Sequence, residues 1–343
     1  MRVARLYKFG DIRIEEVPLP EPNEKAALVR VKACGICSGD VMPWYIEKKA
    51  PLVLGHEIAG EIVKIGDKIK GEISLKEGDR VVVHHHAPCM ECVFCSRGDY
   101  VQCETWRSSK IIPGGMAEYI LVPYENLKHD TLKIPENVTF EQAVLVEPTA
   151  CVVKSLKRAR IKKGDTLLVI GLGVMGQMHI MLAREFGIKR VIGADLVPFR
   201  LERALKAGAD YVIDVSKEDL KQKLKEITDG VMPQVVIVGP GSTELISQSL
   251  SLVSRGGTVV IFTPTPPNEI LHISVNEIYF KDITITTSYS CGPDDTREAL
   301  SLIEKGILKA ELLITHRFCL DEVRKAYEIT AEAKNSLKCM VIF

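Results

Sequence analysis

The chain has no excess of charge of either sign: 45 lysines and arginines balance 45 aspartates and glutamates over 343 residues. Without a basic surplus, nothing points to nucleic acid or an anionic membrane surface as a partner. No stretch approaches membrane-spanning length free of charged residues. The opening MRVARLYKFGDIRIEEVPLP is strand-like and charged, and lacks the apolar run of an export signal. Internal repeats and low-complexity tracts are also missing. What remains is a composition 46% apolar and 26% charged, that of a soluble globular protein. Its 343 residues exceed a comfortable single core, so two domains are expected. Ten cysteines without an export signal imply a reducing, cytoplasmic location in which thiolates stay available for metal.

Four of those cysteines are closely spaced. Cys89, Cys92 and Cys95 follow one another at two-residue gaps, and Cys103 follows the third after a seven-residue gap. Thiolates are soft ligands suited to tetrahedral zinc, and C-x-x-C steps let one loop supply several corners. A disulfide or redox cluster is the competing reading. Four protein sulfurs leave no open coordination position, so this zinc would be structural and the chemistry must lie elsewhere.

Residues 1 to about 150 read as short β-branched runs broken by Gly, Pro and Asp: VARLY, LVRVKA, EIAGEIVKI, RVVVHH and AEYILV. That pattern suits a barrel-like all-β domain with long loops. From Gly164 the periodicity changes. TLLVIG, VIGAD, YVIDV, QVVIVG, TVVIF and ITITT are compact apolar runs separated by helical windows, the α/β signature of a doubly wound parallel sheet. After about residue 290, TREALSLIEKG, DEVRKAYEIT and KCMVIF give two amphipathic helices and a strand. Periodicity does not decide whether this tail extends the sheet domain or returns to the first.

Gly171, Gly173 and Gly176 form G-x-G-x-x-G directly after a strand and at the opening of a helix, with Val174 and Met175 between the last two glycines. One glycine makes the turn, one lets the backbone approach a pyrophosphate, and one permits close helix–strand packing. The helix N-terminus offers free N–H groups and a positive dipole end to phosphates. Nineteen residues on, Asp195 ends the second strand, where a carboxylate accepts hydrogen bonds from ribose hydroxyls and repels a 2′-phosphate. NAD is therefore expected over NADP, with nearby Arg200 weakening the preference.

Two further segments carry ligand chemistry: CGICSGD, residues 34–40, and GHEIAG, residues 55–60; Glu147 in LVEP follows. Taken singly, His56 reads as a satisfied loop histidine, Glu57 and Glu147 as surface carboxylates, Cys37 as a buried thiol. A Cys, a His and one carboxylate together would make a three-ligand catalytic zinc with a position open to substrate or water. A zinc ribbon pairing Cys34 and Cys37 with two later cysteines is an alternative, made unnecessary by the four-cysteine cluster.

With these motifs in hand, the chain resembles the zinc-containing medium-chain alcohol dehydrogenase family, most closely its polyol (sorbitol) and threonine dehydrogenase branch. The resemblance spans the G-I-C segment, GHE-x-x-G continuing to Gly66, the cysteine lobe, GGMAEY, VEP, the Gly-rich turn and THRF. It implies a GroES-like β-barrel catalytic domain over 1–150 and 290–343, with a Rossmann NAD-binding domain inserted at 151–289. It implies two zinc ions per chain, one catalytic and one structural, with Cys37 rather than Cys34 as the cysteine ligand and His56 beside it. It further implies that Glu57 and Glu147 are the carboxylates that bind or exchange at that metal, and that Asp40 orients the zinc histidine in a fixed tautomer. The implied reaction is hydride transfer between a secondary alcohol (a polyol, cyclitol or amino alcohol) and NAD, with zinc as Lewis acid on the substrate oxygen. A homotetramer is the expected assembly, a dimer the next.

The chain departs from this pattern at one step. The family reads C-x-S/T-D, placing the first hydroxyl of a proton relay two residues after the zinc cysteine; here Gly39 occupies that position, Ser38 lies one residue early, and Met42 stands where many relatives carry a histidine. Either Ser38 reaches the substrate oxygen through a shifted loop, or a zinc-bound water and Glu57 carry the proton, the second being preferred because adjacent extended side chains point oppositely. Of His84, His85 and His86, which cannot all face one metal, one is expected to border the cleft; a strand end of mixed exposure is the other reading. Trp44, Tyr45 and Trp106 are candidates for pocket or core. Cys151, Cys291, Cys319 and Cys339 show no ligand spacing and read as small core residues. Rival functions are a zinc-independent quinone or enoyl reductase, which lacks metal ligands, and an inactive zinc-binding homologue.

Overall fold

The computed structural model describes residues 1–343 and divides into two compact units: Met1–Ala150 with Cys291–Gly306 and Ile314–Phe343, and Cys151–Ser290 with Ile307–Leu313. Sequence periodicity had left the tail open and the family resemblance assigned all of 290–343 to the first unit. Instead Ile307–Leu313 belongs to the second, where Arg203 donates to the Leu312 carbonyl at 3.1 Å.

In the first unit, Asp11–Glu16, Arg2–Lys8 and Leu52–Val53 form a small antiparallel sheet. A seven-stranded sheet runs in the order Ile314–Cys319, Lys338–Ile342, Ala26–Gly35, Glu57–Ile65, Arg80–His84, Thr131–Lys133, with Tyr119–Pro123 also paired to Ala26–Gly35. Alternation decides the inner face. Val29 and Val31, Ile58 and Ile62, Val81 and Val83 share one apolar core, while Arg30 between the first pair is exposed. Each such side chain contributes about 1.5–3 kcal/mol by leaving water. The last strand is a central one: Val341 lies opposite Cys34 and Met340 opposite Gly35.

Register then fixes the site. Gly35 pairs with Glu57, and Glu57 pairs with His84, so three strands end or begin side by side. The loops leaving this rim hold Ile36–Asp40, His56 and His85.

The second unit is a six-stranded, wholly parallel sheet in the order Tyr211–Asp214, Arg190–Asp195, Thr166–Ile170, Val235–Val238, Thr258–Ile261, Thr284–Thr287. Every residue of Thr166–Ile170 is buried, as a strand covered on both faces requires. The order reverses between Thr166–Ile170 and Val235–Val238, and a doubly wound sheet binds ligands at the carboxyl end of that switch. Ser242 and Asp219 cap their helices by accepting from Leu245 and Gln222 N–H groups. No helix is long and apolar enough to cross a membrane.

Candidate active site and metal centres

The four-cysteine loop folds on itself through backbone N–H groups that aim at sulfur. Cys89 N–H donates to Cys103 Sγ at 3.4 Å, and Glu91 N–H to Cys89 Sγ at 3.5 Å. The Sγ atoms of Cys89 and Cys95 are 3.9 Å apart, those of Cys92 and Cys95 3.5 Å, and those of Cys89 and Cys103 3.6 Å. A zinc tetrahedron with ~2.3 Å bonds has sulfur–sulfur edges of about 3.8 Å, so the donor set fits, whereas a disulfide needs about 2 Å. All ten cysteines are unbridged. Although burial works against a charged Cys103, the N–H groups of Cys89 and Trp106 hold its thiol down to about 6. Trp106 is buried among these cysteines with Val101, and so is core to this lobe rather than pocket wall.

At the strand rim, Cys37 caps the short 3-10 turn Ser38–Val41, its Sγ accepting from Gly39 N–H at 3.3 Å. The turn tucks Asp40 inside and leaves Ser38 exposed. Asp40 Oδ2 lies 3.5 Å from His56 Nδ1, and the Cys37 thiol is near enough to act on the charge of His56. Burial weighs against a charged His56, but Asp40 and Cys37 outweigh it and hold its pKa well above the ordinary value. Burial pushes the Asp40 carboxyl up, against the pull of His56. A thiol and an imidazole close together, the imidazole faced by a carboxylate, form a donor set that suits zinc.

The two candidate carboxylates separate. Glu57 is fully buried and both its oxygens accept from Lys338 Nζ, at 2.6 and 2.7 Å; Lys338 also donates to the Ile36 carbonyl at 3.0 Å. Burial opposes the lysine's charge, yet Glu57 raises its pKa. Gly35 is obligatory here, because a Cβ would sit 2.0 Å from Glu57 Oε2. Glu147 stands in the first turn of the helix Val146–Arg158, and a carboxylate oxygen lies within 4.8 Å of ring nitrogens of His84 and His85.

The three consecutive histidines face three ways. His84 is buried, its Nδ1 2.6 Å from Asp130 Oδ2 and its Nε2 3.7 Å from Cys291 Sγ, while Thr296 Oγ1 donates to the other Asp130 oxygen. Burial opposes protonation of His84, but Cys291 and Asp130 keep its pKa well above the usual value. His85 packs its ring 4.8 Å from that of His56, and burial together with His56 and His86 holds its pKa well below the usual range. His86 turns to the cysteine lobe, its ring 4.4 Å from Trp106 and its Nδ1 2.6 Å from the Ser109 carbonyl. Sequence reasoning missed Lys338, Asp130 and Thr296, which arrive from distant segments. Of the four unassigned cysteines, Cys291 and Cys339 are buried and Cys151 is partly so, but Cys319 is exposed at the end of the strand Ile314–Cys319, contrary to expectation.

In the second unit, the turn after Thr166–Ile170 is made by Gly171 at φ +87°, and a Cβ on Gly176 would meet the Gly171 carbonyl at 2.1 Å. Gly173 precedes the helix Val174–Leu182, which begins with Val174 and Met175, and nothing lies within 4 Å of where its Cβ would be, leaving room for a phosphate group. Asp195 is buried at the adjacent strand end. Its Oδ2 accepts from Leu172 N–H at 2.7 Å, and its Oδ1 accepts from Leu196 and Val197 N–H groups at 2.7 and 2.9 Å. Arg200 Nη1 is 3.4 Å from Oδ2.

Two family models match: the alcohol dehydrogenase GroES-like domain over residues 23–136 and the zinc-binding dehydrogenase domain over 174–305. An erythritol/L-threitol dehydrogenase of Mycolicibacterium smegmatis is 31% identical over 347 residues, covering 97% of this chain and 94% of that one. A sorbitol dehydrogenase of Bombyx mori is 30% identical over 354 residues, covering 98% and 97%. A zinc-binding dehydrogenase from Sinorhizobium meliloti, solved bound to NADP, superposes with a TM-score of 0.87 at 29% identity, covering 100% and 99%. The chain belongs to the zinc-containing medium-chain alcohol dehydrogenase family, a GroES-like domain with a Rossmann domain. Within that class it is a zinc-dependent alcohol or polyol oxidoreductase that works with a nicotinamide dinucleotide.

Proposed function

We propose that the chain oxidises a secondary alcohol of a polyol, cyclitol or amino alcohol to the ketone, and the reverse, with NAD as hydride acceptor. The observation that carries this reading is the strand register that brings Cys37, His56 and Asp40 to one rim of the first sheet, with Glu147 beside them. Cys37, His56 and Glu147 would hold the catalytic zinc and the four lobe cysteines the structural one. Glu57 is the less suitable ligand, because both its oxygens are held by Lys338. When bound at this rim, zinc supplies Lewis-acid polarisation of the substrate oxygen. The chain's own part is to orient: Asp40 Oδ2 faces the Nδ1 edge of His56 at 3.5 Å, which favours the other nitrogen for metal.

Neither proton route expected from the sequence is supported. Ser38 is exposed, and Glu57 is committed to Lys338. A Cβ on Gly39 would lie 3.5 Å from Cys37 Sγ, so that position faces the site but carries no hydroxyl. NAD is favoured over NADP by Asp195, whose carboxylate is fixed by three backbone N–H groups and faces away a 2′-phosphate by its charge. The metal donors argue against a zinc-independent reductase.

An oligomer fits the exposed apolar side of the second unit, where Val275 is 72% and Tyr279 and Phe280 each 76% exposed on one helix, close in sequence to the edge strand Thr284–Thr287. A homotetramer is the assembly proposed, with a dimer next. Ten unbridged cysteines suit the cytoplasm. The test is NADH formation against a panel of polyols, cyclitols and amino alcohols with zinc content measured in parallel. The reading fails if no alcohol reduces NAD.

A further inference from the structure

We propose that His85 is a specificity-determining residue: it donates a hydrogen bond to a second hydroxyl on the substrate, next to the one being oxidised, and so selects vicinal diols over simple alcohols. This rests on the dehydrogenase reading above. His85 follows the strand Arg80–His84 on the rim that holds the candidate zinc ligands, with its ring 4.8 Å from the His56 ring and a ring nitrogen within 4.8 Å of the Glu147 carboxylate.

Its neighbours His84 and His86 both commit a nitrogen to protein acceptors, Asp130 and the Ser109 carbonyl. His85 does not. Its Nδ1 is sealed from solvent with no partner, while Nε2 has no protein hydrogen bond and is not sealed. A proton on Nδ1 would leave a buried N–H unsatisfied, so the neutral ring carries it on Nε2. The result is a donor beside the metal ligands that makes no hydrogen bond within the protein. Nε2 faces outward with its proton, so a ligand oxygen can take the place of the water that serves it. A simple secondary alcohol spends its only oxygen at the reacting position. A vicinal diol has one more, a carbon away.

Butane-2,3-diol and butan-2-ol differ by that hydroxyl alone and make the test. In His85→Phe, which keeps an aromatic ring against His56 and His86, kcat/KM for the diol should fall about tenfold relative to butan-2-ol, the worth of one hydrogen bond. His85→Gln, which restores a donor, should recover part of the preference. By calorimetry, the Kd of the diol for the NADH-bound enzyme should rise by the same factor while zinc content stays that of the parent. The assignment is overturned if both substrates lose activity equally, if zinc is lost, or if the ratio does not move. Should the parent enzyme oxidise no alcohol in any panel, the dehydrogenase reading itself fails; should it oxidise the diol and butan-2-ol without preference, only the role of His85 does.

Discussion

Lys338 lies 281 residues from Glu57 in sequence, yet its ammonium meets both carboxylate oxygens in a fully buried pair. Removing one partner strands the other charge, so Lys338→Met should cost about 3–5 kcal/mol in denaturant unfolding. Lys338→Met combined with Glu57→Leu should recover much of that loss, and a double variant no better than the single would refute the pairing as the cause. This pair is also why sequence reasoning could not choose between the two glutamates. GHE and VEP are legible as ligand motifs, but the lysine that occupies one of them is placed only by the pairing of Lys338–Ile342 with Ala26–Gly35. Ser38 was legible only in part: the one-residue offset could be read, but not the 3-10 turn over Ser38–Val41 that replaces extended backbone and sets where its side chain lies. Ser38→Ala should leave the pH profile of NADH formation unchanged. A lost limb in that profile would return Ser38 to the proton path. At Asp195, replacement by Ala should shift the NADP-to-NAD ratio of kcat/KM by about tenfold toward NADP, and an unmoved ratio would assign the carboxylate to holding the turn alone.

At the scale of elements, the βαβ half was readable almost strand by strand, because buried parallel strands are short continuous apolar runs. The helix Val146–Arg158 was not: VEP stands out as a ligand motif without a helical signal of its own, and the structure makes Glu147 part of a first helical turn. The helix Val174–Leu182 also buries a histidine inside a largely apolar run. His179 shares a 2.6 Å hydrogen bond with Ser155 Oγ, and burial pushes its pKa down to about 4 from an ordinary 6.5. Its folded pKa is lower, so the unfolded chain binds the extra proton first. The stabilising contribution is therefore full above pH 6.5 and is lost as the pH falls from 6.5 toward 4. The loss amounts to about 3 kcal/mol. His179→Gln should flatten the unfolding free energy across that window, and an unchanged slope would place the acid sensitivity elsewhere.

For the whole molecule, the apolar side formed by Val275, Tyr279 and Phe280 predicts association. Tyr279→Lys with Phe280→Glu should yield a smaller species by sedimentation velocity with the fold intact by circular dichroism; an unchanged sedimentation coefficient would move the interface away from this helix. The central claim, however, concerns two metals of different duty. Four lobe cysteines would enclose their ion, whereas the proposed set of Cys37, His56 and Glu147 would leave a position open, so the second ion should exchange more readily. Zinc content and polyol-dependent NADH formation should therefore be measured on the same samples through dialysis against a chelator and re-addition of zinc. Zinc should fall from about two ions per chain to about one, with NADH formation lost and then restored. Full activity after the exchangeable zinc has gone would contradict it.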